Sequence, residues 1–197
     1  QIDSITVTGN KINYGSYAIR LFGGIQSISN IIINNNNFIK QSLTSILIST
    51  ASNIQIIENF SDNYNQLGAG ISINSCQLPI RIIGNKIINK KWGMALNNNS
   101  GGSGRIQVSN NFIHVGAPHN YNYTPFGMRI SSTENTDLFY NTIILVGDTT
   151  ETSRTLWVNS PIDIPLIKNN ILVNTAFGSA IYYSGTVGIE SNYNDLY

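Results

Sequence analysis

One pattern recurs along the chain and restricts it to a repeat architecture. Residues 5–12, "ITVTGNKI", read as aliphatic, any, aliphatic, two turn residues, Asn, any, aliphatic. The pattern returns as "IIINNNNF" (31–38), "IQIIENFS" (54–61), "IRIIGNKI" (80–87) and "IQVSNNFI" (106–113). Looser copies are "TDLFYNTI" (136–143), "PLIKNNIL" (165–172) and "VGIESNYN" (187–194). The aligned asparagines are Asn10, Asn36, Asn59, Asn85, Asn111, Asn141, Asn170 and Asn192, separated by 26, 23, 26, 26, 30, 29 and 22 residues. A fixed period of this length is the mark of stacked units that bury a core only together.

A second motif lies between the copies: a small residue, then aliphatic, any, aliphatic. It occurs as "AIRL" (18–21), "SILI" (45–48), "GISI" (70–73), "GMAL" (93–96), "GMRI" (127–130), "TLWV" (155–158) and "AIYY" (180–183). Alternation with period two predicts a strand for each motif. A third short strand follows the Asn, as in "FIHV" at 112–115. Three strands per turn predict an all-β fold, a single-stranded parallel β-helix of about eight rungs over residues 1–197. The low-complexity run "NIIINNNNFI" (30–39) is then one ordered copy. Ile31, Ile33 and Phe38 face inward, Asn36 holds the repeat position, and Ile32 is left pointing out. The aligned asparagines have a structural explanation. An Asn at a tight bend bonds to backbone and tolerates left-handed geometry, and stacked amides bond along the axis.

Taken together, "G-I-x-I … I-x-I-x-x-N-x-I" resembles the right-handed parallel β-helix of the pectate-lyase-like superfamily, along essentially the whole chain. No single enzyme family is matched. The superfamily includes lyases, hydrolases, epimerases, tailspikes and non-catalytic surface proteins, so the resemblance implies a fold and leaves activity open. It implies an extracellular or cell-surface setting and a polysaccharide partner, neutral or anionic.

Composition narrows the partners. Only 11% of residues are charged and the net charge is +1, which gives no long-range field for nucleic acid or an anionic membrane. No apolar run reaches the roughly 18 residues of a membrane span. Cys76 is the single cysteine, so no internal disulfide forms; it is expected to be a small buried filler. Asn122 begins a glycosylation acceptor triplet, relevant only in a eukaryotic secretory host. Residue 5 already sits in a repeat strand with no capping helix before it, and an open β-helix end needs cover. A continuation before Gln1 or a partner chain is therefore expected, with "ESNYNDLY" closing the other end.

Alternation also sorts candidate site residues. The outward residues of the second motif stack as Arg20, Leu47, Ser72, Ala95, Arg129, Trp157 and Tyr182. Ser72 and Ala95 leave floor space; Arg129, Trp157 and Tyr182 offer a carboxylate clamp and stacking faces. The longest insertion, residues 114–127, carries His114, His119, Tyr121 and Tyr123 and leads into Arg129. His114 lies between inward Ile113 and Val115 and is expected to be an exposed strand residue. Neighbouring loops add Lys91 and Trp92, and Asp148, Glu151 and Arg154. The resemblance implies a substrate groove over this face. Arg129, His119 and Lys91 are the candidate catalytic residues. Trp157, Tyr182, Tyr121, Tyr123, Arg154 and Trp92 are the candidate substrate contacts.

A calcium-dependent lyase needs clustered carboxylates, and acidic residues are scarce here, so no cofactor or metal is expected. A hydrolase needs facing carboxylates. "NTD" at 135–137 resembles one polygalacturonase motif, but the companion motifs are missing, and Asp137 falls on the outward face of another strand beside Gln107. A metal-free lyase or epimerase, with Arg129 neutralising a carboxylate and Lys91, His119 or Tyr121 moving the proton, stays open. So does a non-catalytic structural or adhesin segment. A trimer is a third reading, with Ile32, Ile39, Ile88 and Ile144 supplying one apolar flank.

Overall fold

The repeat builds one column of stacked strands. The computed structural model describes residues 2–24, 28–63, 68–117, 124–147 and 152–197. Twenty-three strands form three parallel sheets, and no helix occurs among the described residues. No helix is therefore long and apolar enough to cross a membrane. Sheet A runs from Ile5–Thr8 to Glu190–Asn192 and holds the first strand of each turn. Sheet B, from Lys11–Asn13 to Asp195–Leu196, holds the strand after the Asn, and sheet C, from Tyr17–Phe22 to Ser179–Ser184, holds the second motif. Sheets A and B have eight strands and sheet C seven, giving seven complete turns and a final turn of two strands. The tail of the chain supplies that last pair, Glu190–Asn192 and Asp195–Leu196. Successive turns are about 4.8 Å apart, the spacing of hydrogen-bonded strands.

Period-two alternation places the core where it was expected. Ile31, Ile33, Ile54, Ile56, Ile80, Ile82, Ile106 and Val108 stack inside sheet A with no solvent exposure. Met94, Leu96, Met128, Ile130, Leu156 and Val158 do the same inside sheet C. Each buried aliphatic side chain contributes about 1.5–3 kcal/mol by leaving water. The small residue opening each sheet C strand is set by close approach. A Cβ on Gly93 would lie 2.2 Å from the Gly127 carbonyl oxygen and 2.3 Å from Ile113 Cγ2.

The asparagines form the ladder between sheets A and B. Asn36 donates from both its backbone N and its Nδ2 to Asn59 Oδ1, at 3.0 and 2.9 Å. The same Nδ2 donates to the Val7 carbonyl one turn back, at 2.9 Å. Asn59, Asn85, Asn111, Asn141 and Asn170 repeat the pattern, each buried. The last member is Asn194, not Asn192: Asn170 N and Nδ2 both donate to Asn194 Oδ1 at 2.9 Å. The final copy therefore aligns two residues later, with Ser191 facing Ile167 in the position of the second aliphatic.

The left-handed backbone also sits one residue earlier than expected. It belongs to the residue before each ladder Asn: Gly9, Asn35, Glu58, Gly84, Asn110, Tyr140, Asn169 and Tyr193, with φ between 53° and 68°. The ladder amide compensates that strain by satisfying the bend's own carbonyl, as Asn36 Nδ2 does with Asn34 O at 2.9 Å.

The bend between sheets C and A carries a shorter ladder. Cys76 occupies it, buried, with its N donating to Asn99 Oδ1 at 2.9 Å. Its thiol contacts the Asn74 and Ile48 carbonyls at 3.3 and 3.8 Å, the same two directions an Asn amide takes. The thiol is thus a ladder member as well as a filler, and burial pushes its pKa up.

Asn85→Ala should leave Asn59 N without its acceptor and take one partner each from Asn59 Nδ2 and the Ile56 carbonyl. A loss of about 3 kcal/mol or more in urea denaturation is expected. A loss below about 0.5 kcal/mol would mean the ladder is incidental. Cys76 should resist thiol reagents at pH 8 in the folded protein and react only as the chain unfolds. Labelling at the rate of a free thiol in native buffer would contradict its place in the ladder.

Candidate functional site

Sheet C carries a one-signed outer face. None of its strands contains an Asp or Glu, while Arg20, Arg129 and Arg154 lie in them and Lys91 immediately precedes one. The acidic strand residues belong to sheets A and B. Asp137, opposite Gln107 on sheet A, is almost buried at 8% exposure and is clamped by Arg105 at 2.5 and 2.6 Å. That pairing raises the Arg105 pKa and makes Asp137 a structural partner.

The outward residues of sheet C stack in the expected register. Arg20, Leu47, Ser72, Ala95, Arg129, Trp157 and Tyr182 form one central row. A second row, one edge of the sheet, contains Trp92, Phe126 and Arg154 in neighbouring turns. The two rows interlock. Trp92 stacks on Phe126 with ring centroids 5.5 Å apart and planes 12° from parallel. Phe126 meets Trp157 edge-on at 6.1 Å, and Trp157 meets Tyr182 edge-on at 6.4 Å.

Cations fill the gaps. Lys91 Nζ lies 3.8 Å from the Trp92 ring centre. Arg129 lies 5.1 Å from the Phe126 ring and 5.4 Å from the Trp157 ring. Arg154 lies 3.9 Å from Trp157 and 3.6 Å from Tyr182. Each such contact contributes about 0.5–2 kcal/mol, more where water is excluded. Burial lowers the pKa of Arg129 and of Lys91, so both are cations held partly away from water.

A third row runs along the other edge of sheet C: Asn74, Asn97, Ser131 and Asn159, all half-buried. Arg129 Nε and Nη2 both donate to Asn97 Oδ1, at 3.2 and 2.9 Å. The guanidinium therefore leans across the preceding turn. Ala95, expected as open floor, is only 5% exposed, while Ser72 stays half-exposed. Trp92 Nε1 donates to the Thr124 carbonyl at 3.1 Å, and Trp157 Nε1 is buried without an acceptor among the described residues.

Six of the nine candidates come together on this face: Lys91, Trp92, Arg129, Arg154, Trp157 and Tyr182. His119, Tyr121 and Tyr123 lie outside the described residues, as do Asp148, Glu151 and Asn122. His114 is half-buried on sheet B between Ile88 and Ile144, away from the sheet C rows. Among the described residues no group of three or more His, Cys, Asp or Glu could hold a metal. The supposed apolar flank divides: Ile39, Ile88 and Ile144 lie on sheet B, Ile32 on sheet A.

Phe126 and Asn97 were not anticipated. Phe126 precedes the "GMRI" motif as Trp92 precedes "GMAL", so extending the motif by one residue exposes the second row. Asn97 carries no sequence signal, because its role depends on how Arg129 leans. No family model matches the chain, and neither a curated protein nor a solved structure matches it.

Arg129 has a neutral hydrogen-bond partner and partial burial, so its charge contributes little to folding. Arg129→Met should keep stability within about 1 kcal/mol of wild type, whereas Phe126→Ala should cost about 3–5 kcal/mol. Urea denaturation checks both. An equal loss for the two would make the guanidinium a structural element.

Proposed function

We propose that this chain is a pectate-lyase-like solenoid that binds an anionic polysaccharide along the outer face of sheet C, outside the cell or on its surface. One observation carries the reading: three half-buried cations, Lys91, Arg129 and Arg154, alternate with the rings of Trp92, Trp157 and Tyr182 over a covered Phe126, on a face whose strands contain no carboxylate. Aromatic faces stack on sugar rings, and guanidinium groups pair with carboxylates or sulfates. Consecutive turns present Lys91, Arg129 and Arg154, so the ligand chain runs parallel to the solenoid axis, with a cation at each step of about 4.8 Å.

Arg129 acts here as a clamp. Its guanidinium is charged, held by Asn97 and set between rings, which suits charge neutralisation better than proton abstraction. The reading is a binding module; lyase or epimerase chemistry would need a base beside the clamp, for which this face offers Lys91, its pKa lowered by burial. A passive structural segment is the competing reading, favoured by the regular ladder and the low overall charge.

Affinity electrophoresis in gels holding a soluble polyuronate or a neutral glucan decides between them. Retardation by the polyuronate alone, weakened by salt and reduced about tenfold in Arg129→Met, is expected. Equal mobility in both gels would leave the passive segment. Ultraviolet absorbance from an unsaturated product would replace the binding module by a lyase.

A further inference from the structure

Arg129 orders a chain of side chains that runs back across two turns. Its guanidinium is a donor only, so Asn97 must turn its Oδ1 toward it. That choice leaves Asn97 Nδ2 facing the preceding turn, where it donates to Asn74 Oδ1 at 2.8 Å. Asn74 Nδ2 then donates to Ser72 Oγ at 3.1 Å. Each amide in the chain has one allowed orientation, because flipping either would set two donors or two acceptors face to face. The chain ends on a hydroxyl that accepts from Asn74 and keeps its own proton to donate. Ser72 is half-exposed in the central row, between Leu47 and the covered Ala95.

We infer that Ser72 is a second ligand contact, a hydroxyl donor oriented by Arg129 through Asn97 and Asn74, that takes an oxygen of the bound glycan two turns before the Arg129 clamp. The inference rests on the polysaccharide reading of sheet C. A chain of aligned hydrogen bonds headed by a cation polarises each member in the same sense, so the terminal hydroxyl is a stronger donor than an isolated serine. The two contacts lie about 10 Å apart, two strand spacings along the axis. The site thus extends along the ligand beyond the aromatic rows, into a turn whose sheet C strand carries no cation. Asn97 and Asn74 are positioning residues; they act on the ligand through Ser72.

A double-mutant cycle tests this with the whole chain and the soluble polyuronate as probe. Ser72→Ala should weaken binding about five-fold without changing its salt dependence. In the Arg129→Met background the amides are free to flip, so Ser72→Ala should have no further effect. Asn97→Leu, which breaks the chain but keeps the cation, should reproduce the Ser72→Ala loss. Additive effects of Ser72→Ala and Arg129→Met would overturn the coupling, as would full affinity in Ser72→Ala. Absence of polyuronate binding by the wild type removes the glycan reading itself. The hydrogen-bond chain is then judged by the Asn74 side-chain amide resonances in Arg129→Met, and unshifted resonances overturn it.

Discussion

Everything in this solenoid hangs on the disposal of polar groups at the bend between sheets A and B. Each turn must reverse direction inside a tightly stacked column, and the reversal strands backbone carbonyls and an amide away from water. One Asn per turn settles that problem with both ends of its amide. Its oxygen receives two donors from the turn before, and its nitrogen returns to that turn and to its own bend. The cost of an unpaired buried group makes the arrangement all-or-none. The aliphatic stacks on either side depend on it, since they meet only when successive bends coincide.

The outer face obeys a different logic. Buried amides inside the column stabilise it, while the sheet C surface spends hydration on groups that folding does not need. Arg129 and Lys91 give up water with pKa values pulled down by burial, and Arg129 receives in exchange a neutral amide and ring faces. Aromatic side chains and cations together form the surface on which the proposed polysaccharide reading rests. The separation by sheet is clean: Asp137 is consumed by Arg105 on sheet A, and Lys168 pairs there with Glu190. The strands of sheet C contain no acidic residue of their own.

Much of this was legible in the residues, because a parallel solenoid converts sequence spacing directly into neighbourhood. Ile31, Ile33, Asn36 and Phe38 fall where alternation puts them, and the row from Arg20 to Tyr182 follows from counting. The failures share a cause. In the copy that ends at Asn194 the second aliphatic position holds Ser191, so the pattern points to Asn192 instead. Composition points to the Asn itself as the left-handed residue, but Glu58 or Tyr140 before it bears that backbone. The Arg129–Asn97–Asn74–Ser72 chain was invisible, since it depends on side chains leaning between turns, and spacing carries no information about lean.

The ladder indexes a single residue per turn and ignores how many others the turn contains. Asn85 and Asn111 are 26 residues apart, Asn111 and Asn141 are 30, yet the amide contacts are alike. The column counts revolutions rather than residues, as a screw thread does. Length can be added between sheets B and C without disturbing a single amide. The border of the aromatic and cationic face is therefore where such a chain can change its reach while its thread stays the same.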